Sequence, residues 1–356
     1  MRKVRFCLRG RVWQGQSAAV TGRAEMVATD SPAAFDAAVA RAAATLREDG
    51  LVVLPTETVY GLAGNACSSE AVEQIFTVKG RPTGNPVIAH VDGLAMAREC
   101  VAAWPEAAAR LARAFWPGPL TLVLLRSEVI ADEVTAGGKT VAVRWPSHPL
   151  MRAVISACGF PLAAPSANRS GQLSPTCAEH AAAQLGEAVE VIVDGGQANV
   201  GIESTVVDVT GPKAQVLRPG MISAEVLAAA LPGVAVVAAG ATEGVLRSPG
   251  MLERHYAPTA RLLVRRWRDE EDLEAQVAVF RAAAAYTFVI AHTNIPPGTR
   301  WGGVSVIPRD AEAYARALYA ELHRCDAEGA ELIVVEAVPE GDEWAGVADR
   351  LARAGA

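Results

Sequence analysis

Residues 30–56 read DSPAAFDAAVARAAATLREDGLVVLPT and predict a helix that leads directly into a buried strand. Asp30 and Ser31 can cap a helix, and Pro32 suits its first turn. Apolar residues then recur at helical spacing until Gly50, which ends the helix. The apolar run LVVLPT follows at once. This order of elements indicates an α/β protein.

Further along the chain, helical patterns are separated by apolar runs typical of strands. Helices are predicted over residues 69–78 and near 93–115, 147–158 and 176–186. The strand-like runs before residue 220 outnumber them, which favours a mixed sheet over strict βαβ repetition. These runs are PVIAHV, TLVLLR, TVAVRW, VEVIVD, STVVDVT and AQVLRP.

The composition of the sequence changes at three places and divides the chain into four parts. Residues 1–25 are predicted to be a poorly ordered extension, because periodic structure begins only after them. Residues 26–220 form the first domain, and residues 221–259, rich in Ala, Gly, Pro and Val, form a linker. Residues 260–356 alternate strands and helices regularly, which predicts a smaller doubly wound domain, with a helix over 270–285.

Composition and charge exclude several classes of function. A net charge of −6 argues against general adhesion to nucleic acid. The six cysteines are far apart and form no C-x-x-C motif, which is typical of reduced thiols in a cytoplasmic protein. The histidines form no ligand pair, so we expect no metal site built by the protein. No apolar run is long enough to span a membrane.

The stretch VKGRPTGNPVIAHV, residues 78–91, gathers Lys79, Arg81, Asn85 and His90 in a turn held by glycines and prolines. It is either a solvated surface loop or a site for an anionic substrate. Its position after a helix C-terminus excludes binding by the helix dipole, because that end is negative. By itself this stretch therefore favours the solvated loop.

Other segments share this pattern of polar residues beside glycine and proline at strand ends, where α/β proteins place their sites. Thr56, Glu57 and Thr58 could also be ordinary turn residues, and Arg144 must either reach solvent or meet an anion. The segments are LPTETVYGLAGNA (54–66), TVAVRWPSHP (140–149), APSANRSGQLSPT (164–176) and VDGGQANVGIESTVVD (193–208), which runs into VLRPG (216–220).

Together these segments supply cations and hydroxyl donors but no activated nucleophile. No Cys–His pair has a plausible spacing, and G-x-S-x-G is absent. Such a site suits phosphoryl or nucleotidyl transfer, in which the protein positions groups and neutralises charge. Mg²⁺ would accompany the nucleotide and need few ligands from the protein.

Six motifs occur in the order and spacing of one family. PTETVYGLAGNA, KGRPTGNPVIAHV, FWPGPLTLVL, TVAVRWPSHP, PSANRSGQLSPT and GIESTVVD…VLRPG resemble the YrdC-like threonylcarbamoyl-AMP synthases. The tail SPGMLERHYAP and the C-terminal domain resemble the long two-domain form of that family. The resemblance implies a YrdC-like mixed twisted sheet with flanking helices and an open concave cleft, plus a Rossmann-like doubly wound C-terminal domain.

The resemblance also implies an activity and its residues. Members of the family combine L-threonine, bicarbonate and ATP into threonylcarbamoyl-AMP and pyrophosphate, and the product serves transfer proteins that modify tRNA. The residues implied for catalysis are Lys79, Arg81, Ser166 and Asn168. Those implied for threonine are Thr58, His90, Arg144, Ala164 through its backbone, and Ser204. Those implied for ATP are Arg81, Asn85, Thr140, Ser166, Ser174, Arg218 and Tyr256, the last closing over the nucleotide.

Four positions depart from the family pattern. Ala63 and Asp349 replace an expected Gly and Asn, and Leu252-Glu253 precede His255 where a basic or aromatic residue is more usual. The departure at Leu252-Glu253 affects how the linker is expected to bind phosphate.

Two other classes of function remain as alternatives. An RNA-binding module could use the same basic cleft, although the acidic total and the lack of interleaved aromatic residues oppose it. We therefore expect weak or no direct tRNA binding. Carbamoyl transfer in hydrogenase maturation would need Cys-rich zinc fingers that this chain lacks. Truncation near residue 220 is expected to impair synthesis, because it removes Tyr256.

Overall fold

The computed structural model describes residues 24–239, 255–280, 282–297 and 300–356, and it places them in two α/β units. The helices of the first unit are α1 (Pro32–Arg47), α2 (Ser69–Lys79), α3 (Leu94–Glu99), α4 (Glu106–Phe115), α5 (Pro149–Cys158), α6 (Ala178–Leu185) and α7 (Ala224–Ala230). Its strands are β1 (Glu25–Val27), β2 (Val52–Leu54), β3 (Gly61–Asn65), β4 (Ile88–His90), β5 (Leu120–Leu125), β6 (Thr140–Arg144), β7 (Leu162–Ala163), β8 (Val191–Val193), β9 (Thr205–Asp208), β10 (Ala214–Arg218) and β11 (Val236–Ala238).

The second unit alternates strands and helices. Its elements are β12 (Arg261–Arg265), α8 (Glu270–Ala278), β13 (Thr287–Ala291), β14 (Gly303–Val306), α9 (Ala311–Ala327), β15 (Leu332–Glu336) and α10 (Ala345–Ala354). Short 3₁₀ turns occur at Asp132–Thr135, Ala284–Tyr286 and Asp342–Trp344.

The two sheets have the architectures that the sequence predicts. The large sheet has the order β1-β8-β2-β3-β7-β4-β6-β5-β9-β10-β11 and mixes parallel with antiparallel pairs. The small sheet has the order β12-β15-β13-β14, and every pair in it is parallel. The predicted mixed sheet and the doubly wound C-terminal unit are both confirmed.

Local sequence signals explain the helices that were predicted well. The Ser31 side chain accepts a hydrogen bond of 3.2 Å from the backbone N–H of Ala34, and Pro32 occupies the first position of α1. Helix α2 ends at Gly80, whose φ of +59° lies in the left-handed region that favours glycine. Both helices are therefore specified by their own caps.

Other elements differ from the sequence-based expectation. The predicted helix near 93–115 is two helices: α3 ends at Glu99, and Pro105, which has no N–H to continue a helix, occupies the N-cap position before α4. The helix expected over 270–285 ends at Ala278. Strand β3 was not predicted, since its sequence GLAGN is glycine-rich and it is held by pairing with β2 and β7 on either side.

The predicted linker and extension contain regular structure at their edges. Within 221–259, helix α7 is followed by β11, which pairs in parallel with β10 and extends the large sheet. Glu25, assigned to the extension, pairs with Val191 in the same sheet. The departures at Leu252 and Glu253, and residues 1–23, lie outside the described residues.

The two units share one hydrophobic cluster, and their backbones are in close contact at one point. Val59 and Ile202 of the first unit belong to the same cluster as Tyr319 of α9. At the contact between Gly220 and Gly346, a Cβ added to Gly346 would lie only 2.8 Å from the Gly220 backbone. Side chains larger than hydrogen would therefore push the two units apart.

Two further expectations concern membrane-spanning segments and cysteines. None of their helices is long and apolar enough to cross a membrane. Their cysteines (Cys67, Cys100, Cys158, Cys177 and Cys325) are all free thiols.

Candidate active site

The candidate site lies on one face of the large sheet, over strands β4 and β6. These strands are parallel and in register, so that His90 lies directly opposite Arg144, and Ile88 opposite Ala142. Residues two apart on a strand point to the same face, so all four share it. Ile88 and Ala142 belong to a buried apolar cluster, which gives the polar side chains of this face an apolar floor.

A cavity of about 40 Å³ opens on this face. Pockets for nucleotide-sized ligands usually measure about 300–1,000 Å³, so most of the available space is filled by side chains of the protein itself. The lining residues are Thr56, Thr58, Val59, Gly61, Arg81, Ile88, His90, Arg144, Ala164, Pro165, Ser166, Glu203, Arg218, His255 and Tyr256.

The structure gathers most of the predicted site residues at this cavity. Thr58, Arg81, His90, Arg144, Ala164, Ser166, Arg218 and Tyr256 line it. Hydrogen bonds join the lining residues to five predicted residues behind them: Lys79, Asn85, Asn168, Ser174 and Ser204. Thr140 begins β6, four residues before Arg144, and is not brought to the cavity. Its contact with ATP stays a prediction.

Several lining residues were not assigned a role in the site from the sequence. They are Thr56, Val59, Gly61, Ile88, Pro165, Glu203 and His255. Each is within three residues of a predicted one, so proximity in sequence was an available signal. Glu203 is the most consequential of them, because it adds a carboxylate to a site predicted to be cationic.

Arg144 is the centre of one corner of the cavity. Its Nε donates to the carbonyl of Gly118 at 3.3 Å, and its Nη1 donates to Thr58 Oγ1 at 2.9 Å. Its Nη2 lies 2.7 Å from Glu57 Oε1, and both side chains of this ion pair are almost fully buried. The guanidinium is therefore held on three sides, with N–H groups left over for a ligand.

The direction of the hydrogen bonds determines what Thr58 can offer. Thr56 Oγ1 donates to the carbonyl of Val59 at 2.6 Å, which uses its hydroxyl proton. Thr58 must then be the donor in the 2.9 Å contact between the two hydroxyls. Since Thr58 Oγ1 also accepts from Arg144, its remaining capacity is to accept another hydrogen bond. A guanidinium donor beside a hydroxyl acceptor suits the carboxylate and the amine of an amino acid.

A second corner of the cavity carries two more guanidinium groups. Arg81 Nη2 donates to Asn85 Oδ1 at 2.7 Å and to the carbonyl of Pro86 at 2.8 Å. Arg218 donates from Nε and Nη2 to the carbonyl of Ser204. Burial lowers the pKa of Arg81 to about 10, which still leaves it charged at neutral pH. Two positive charges at one wall suit the phosphates of a nucleotide.

Lys79 has a different position from the one expected of a phosphate ligand. Its Nζ donates to the carbonyls of Ser166 (2.6 Å) and Asn168 (2.5 Å), and burial lowers its pKa well below the usual range. The Asn168 amide donates to two carbonyls farther along the same loop, those of Arg169 and Gln172. In this structure Lys79 and Asn168 hold the loop that presents Ser166.

Glu203 connects the cavity with the C-terminal unit. Its Oε1 accepts from Ser174 Oγ at 2.5 Å, and its Oε2 accepts from Arg350 Nε at 2.6 Å and from the Tyr319 hydroxyl at 3.2 Å. Burial alone would raise the pKa of Glu203, but Arg350 and Arg218 outweigh it and hold the pKa at about 2. The Ser174 hydroxyl proton is therefore committed to Glu203.

Tyr256 enters the cavity from the end of the predicted linker. Its φ of +61° is unusual for a tyrosine, and its chain neighbours are tied to both units. Ala257 N–H donates to Gly171 of the first unit, and His255 N–H donates to Arg353 of the second. The Tyr256 hydroxyl is buried and has no hydrogen-bond partner among the described residues. It is thus a polar group available to a ligand.

His90 yields a pH-dependent prediction. Burial, followed by the charge of Arg144, lowers its pKa to about 3. The unfolded chain takes up a proton near the ordinary value of about 6.5, whereas the folded protein does not. The free energy of unfolding should therefore fall between pH 7 and pH 5, and His90→Gln should remove up to about 2 kcal/mol of that fall. Urea titrations at both pH values test this, and an unchanged fall in the variant would show that His90 is charged when folded.

Comparison with known proteins gives matches over most of the chain. A family model described as "Telomere recombination" matches residues 44–220, and one described as the C-terminal domain of threonylcarbamoyl-AMP synthase matches residues 222–356. The threonylcarbamoyl-AMP synthase of Bacillus subtilis is 38% identical over 92% of this chain and 95% of its own length. That of Pyrococcus abyssi is 38% identical over 88% of this chain and 92% of its own length.

A solved structure agrees with the sequence relatives. The crystal structure of P. abyssi Sua5 complexed with L-threonine is similar, with a TM-score of 0.82 at 35% identity. The similarity covers 93% of this chain and 96% of that one, and therefore includes both units. The family that the sequence motifs suggested is confirmed. This chain belongs to the threonylcarbamoyl-AMP synthase family, in its two-domain form.

Proposed function

We propose that this chain joins L-threonine, bicarbonate and ATP to give L-threonylcarbamoyl-AMP and pyrophosphate. The observation that carries the proposal is one cavity with an amino-acid corner at Arg144 and Thr58 and a two-arginine wall at Arg81 and Arg218. The printed names of the relatives and the threonine complex of P. abyssi Sua5 support it.

The residues of the cavity have distinct roles in this reaction. Arg144 binds the threonine carboxylate, and Thr58 accepts a hydrogen bond from the threonine amine. The amine attacks bicarbonate and releases water, which gives a carbamate. A carbamate oxygen then attacks the α-phosphorus of ATP, and pyrophosphate leaves while Arg81 and Arg218 offset its charge. This sequence requires no covalent enzyme intermediate.

Enclosure of the site is part of the proposal. A carbamate decomposes in water, so the intermediate needs a cavity from which solvent is excluded. His255 and Tyr256 are among the residues that line the cavity, which at about 40 Å³ is too small for a nucleotide. ATP entry therefore requires lining residues to move, and we propose that His255 and Tyr256 move and that their return closes the site over the substrates.

Mg²⁺ is proposed to arrive with ATP rather than to occupy a site made by the protein. Among the described residues, Glu203 is the carboxylate that lines the cavity, and its oxygens already accept from Ser174, Tyr319 and Arg350. The triphosphate would thus supply the ligands, and the ion would neutralise phosphate charge.

Pyrophosphate release tests the proposal directly. We expect release to require threonine and bicarbonate together, with either one alone giving only background, because the carbamate must form before the nucleotide is attacked. The purified protein is assayed with ATP and each combination of the two other substrates. ATP turnover that is indifferent to both would contradict the proposal.

The proposed place of the product follows from its chemistry. The product is a mixed anhydride of a carbamate and a phosphate, so a transferase must consume it, and tRNA threonylcarbamoyl-transfer proteins in the cytoplasm are the proposed users. RNA binding as the primary function is not favoured. The arginines of the cavity are buried and engaged within the protein, and the relatives are named as synthases.

A further inference from the structure

Glu57 is a buried acid that has no role in the reaction described so far. Its side chain does not line the cavity, although its neighbours Thr56 and Thr58 do. Its carboxylate lies 2.7 Å from Arg144 Nη2, and the two side chains are 7% and 4% exposed. The acid therefore stands directly behind the group proposed to bind the threonine carboxylate.

Glu57 is ionised in this setting. Burial would raise its pKa, but the adjacent charge of Arg144 outweighs burial and lowers the pKa below the usual value. A buried ion pair of this kind is costly to break, because removing one partner leaves an uncompensated charge. In the empty site, Glu57 thus compensates the guanidinium until a substrate arrives.

The hydrogen bonds of Arg144 show what Glu57 leaves available. A guanidinium has five N–H bonds. One on Nε is used by Gly118 and one on Nη1 by Thr58. Glu57 Oε1 lies 2.7 Å from Nη2 as an ion-pair partner, and neither of these two atoms makes a hydrogen bond with the described residues. Nη1 therefore keeps one N–H and Nη2 keeps both, so a single carboxylate can take one from each nitrogen in a bidentate pair.

We propose that Glu57 is a positioning residue for the amino-acid substrate, acting by fixing the orientation of the Arg144 guanidinium. This inference rests on the proposed function, because it takes the carboxylate at Arg144 to be that of threonine. Without Glu57, Nη2 has no fixed partner, and the side chain can turn about its remaining contacts. The pair of free N–H groups is then aimed at the substrate only part of the time.

The backbone around Glu57 supports a positioning role. Its carbonyl accepts a hydrogen bond of 2.7 Å from Val200 N–H, and the Thr58 carbonyl accepts one of 3.1 Å from Gly201 N–H. The turn is thus attached to a second loop of the domain, so Glu57 offers Arg144 a fixed partner.

Three substitutions separate geometry from charge. Glu57→Ala removes the partner of Nη2, and we expect the dissociation constant for threonine to rise at least tenfold. Glu57→Gln keeps an oxygen acceptor without the charge, so that affinity should stay within about threefold of the unchanged protein. Glu57→Asp keeps the charge but shortens the side chain by one methylene, and it should weaken binding severalfold.

The measurement is equilibrium binding of labelled threonine to the full chain, followed by KM values in the pyrophosphate assay. We expect KM for threonine to follow the dissociation constants, while KM for ATP changes less than twofold. In the Arg144→Ala background, Glu57→Ala should change threonine binding less than twofold, because the residue acts through Arg144. Circular dichroism and thermal unfolding check that each variant is folded.

Glu336→Gln is a matched control for the loss of a buried carboxylate. Glu336 is 4% exposed and accepts backbone N–H groups of His292 and Thr293 at 2.8 Å, in the C-terminal unit. The control should lower stability without changing threonine affinity.

Several outcomes would overturn the inference. They are equal losses of threonine and ATP affinity, additive effects of the Glu57 and Arg144 substitutions, or an aspartate variant that binds as well as the unchanged protein. If Glu57→Ala fails to fold, the threonine affinities of Glu57→Gln and Glu57→Asp decide whether Glu57 acts by positioning Arg144. If the unchanged protein binds threonine and the Glu57 variants bind it with the same affinity, this inference alone is refuted. Unchanged protein that binds no threonine refutes the proposed function as well.

Discussion

Replacing Arg144 by alanine is expected to weaken threonine use by about 2–4 kcal/mol, which corresponds to roughly a 30- to 1,000-fold loss in kcat/KM for threonine. The guanidinium is nearly fully buried, and it is the group proposed to meet the substrate carboxylate. Its loss leaves Glu57 buried without its partner and the substrate without its anchor. The measurement is the dependence of pyrophosphate release on threonine concentration.

Arg110→Ala provides the control for this experiment. Arg110 pairs with Glu106 at 3.0 Å on an exposed face of α4, and such surface pairs contribute little. The control should leave the threonine dependence unchanged. If Arg144→Ala also leaves it unchanged, Arg144 does not belong to the threonine site.

Replacing Arg350 by alanine is expected to lower the free energy of unfolding by about 3–5 kcal/mol and to impair synthesis. Arg350 is fully buried, and its Nε lies 2.6 Å from the carboxylate of Glu203. Its guanidinium also lies over the Tyr256 ring, 5.1 Å from the centroid. Removing it leaves a charged Glu203 at the cavity wall and frees the ring that fills the cavity. Urea unfolding and pyrophosphate release measure the two effects.

Two further variants show whether the ion pair is responsible. Arg266 pairs with Glu340 at 3.0 Å on the surface of the same unit, and Arg266→Ala should cost no more than about 1 kcal/mol. Adding Glu203→Gln to Arg350→Ala should recover part of the lost stability, because the unpaired charge is removed. Stability unaffected by Arg350→Ala would mean that the two units are held together without this pair.

The ion pair of Glu203 and Arg350 also explains the effect expected from truncation near residue 220. Such a chain loses not only Tyr256 but also both C-terminal partners of Glu203, Arg350 and Tyr319. The carboxylate would then remain at the cavity wall with Ser174 as its partner. The structure thus adds a second reason to the one that the sequence suggested.

Local signals explain which elements could be predicted from the sequence. Helix α1 has its cap and first proline in consecutive residues, and α2 has a glycine at its end, so each was predicted closely. Strands β3 and β7 carry no comparable signal, because neighbouring strands rather than their own residues make them strands. Strand β11 was assigned to a linker for the same reason, since its partner β10 decides its structure.

At the candidate site, the sequence indicated which residues take part but not where their side chains point. The resemblance of the motifs to the family selected Arg81, His90, Arg144 and Arg218, all of which line the cavity. They did not reveal that Lys79 points to the carbonyls of Ser166 and Asn168 rather than to the cavity. The direction of a side chain depends on partners that are distant in the chain.

The sequence alone determined the family, the fold class and the kinds of group at the site, because turns, caps and short motifs are encoded by neighbouring residues. Only the tertiary structure decided how those groups are paired. Glu203 and Arg350 are 147 positions apart, and Glu57 meets Arg144 across the sheet. Ion pairs of buried residues depend on distance in space and on exclusion of water, and neither quantity can be read from residues taken in order.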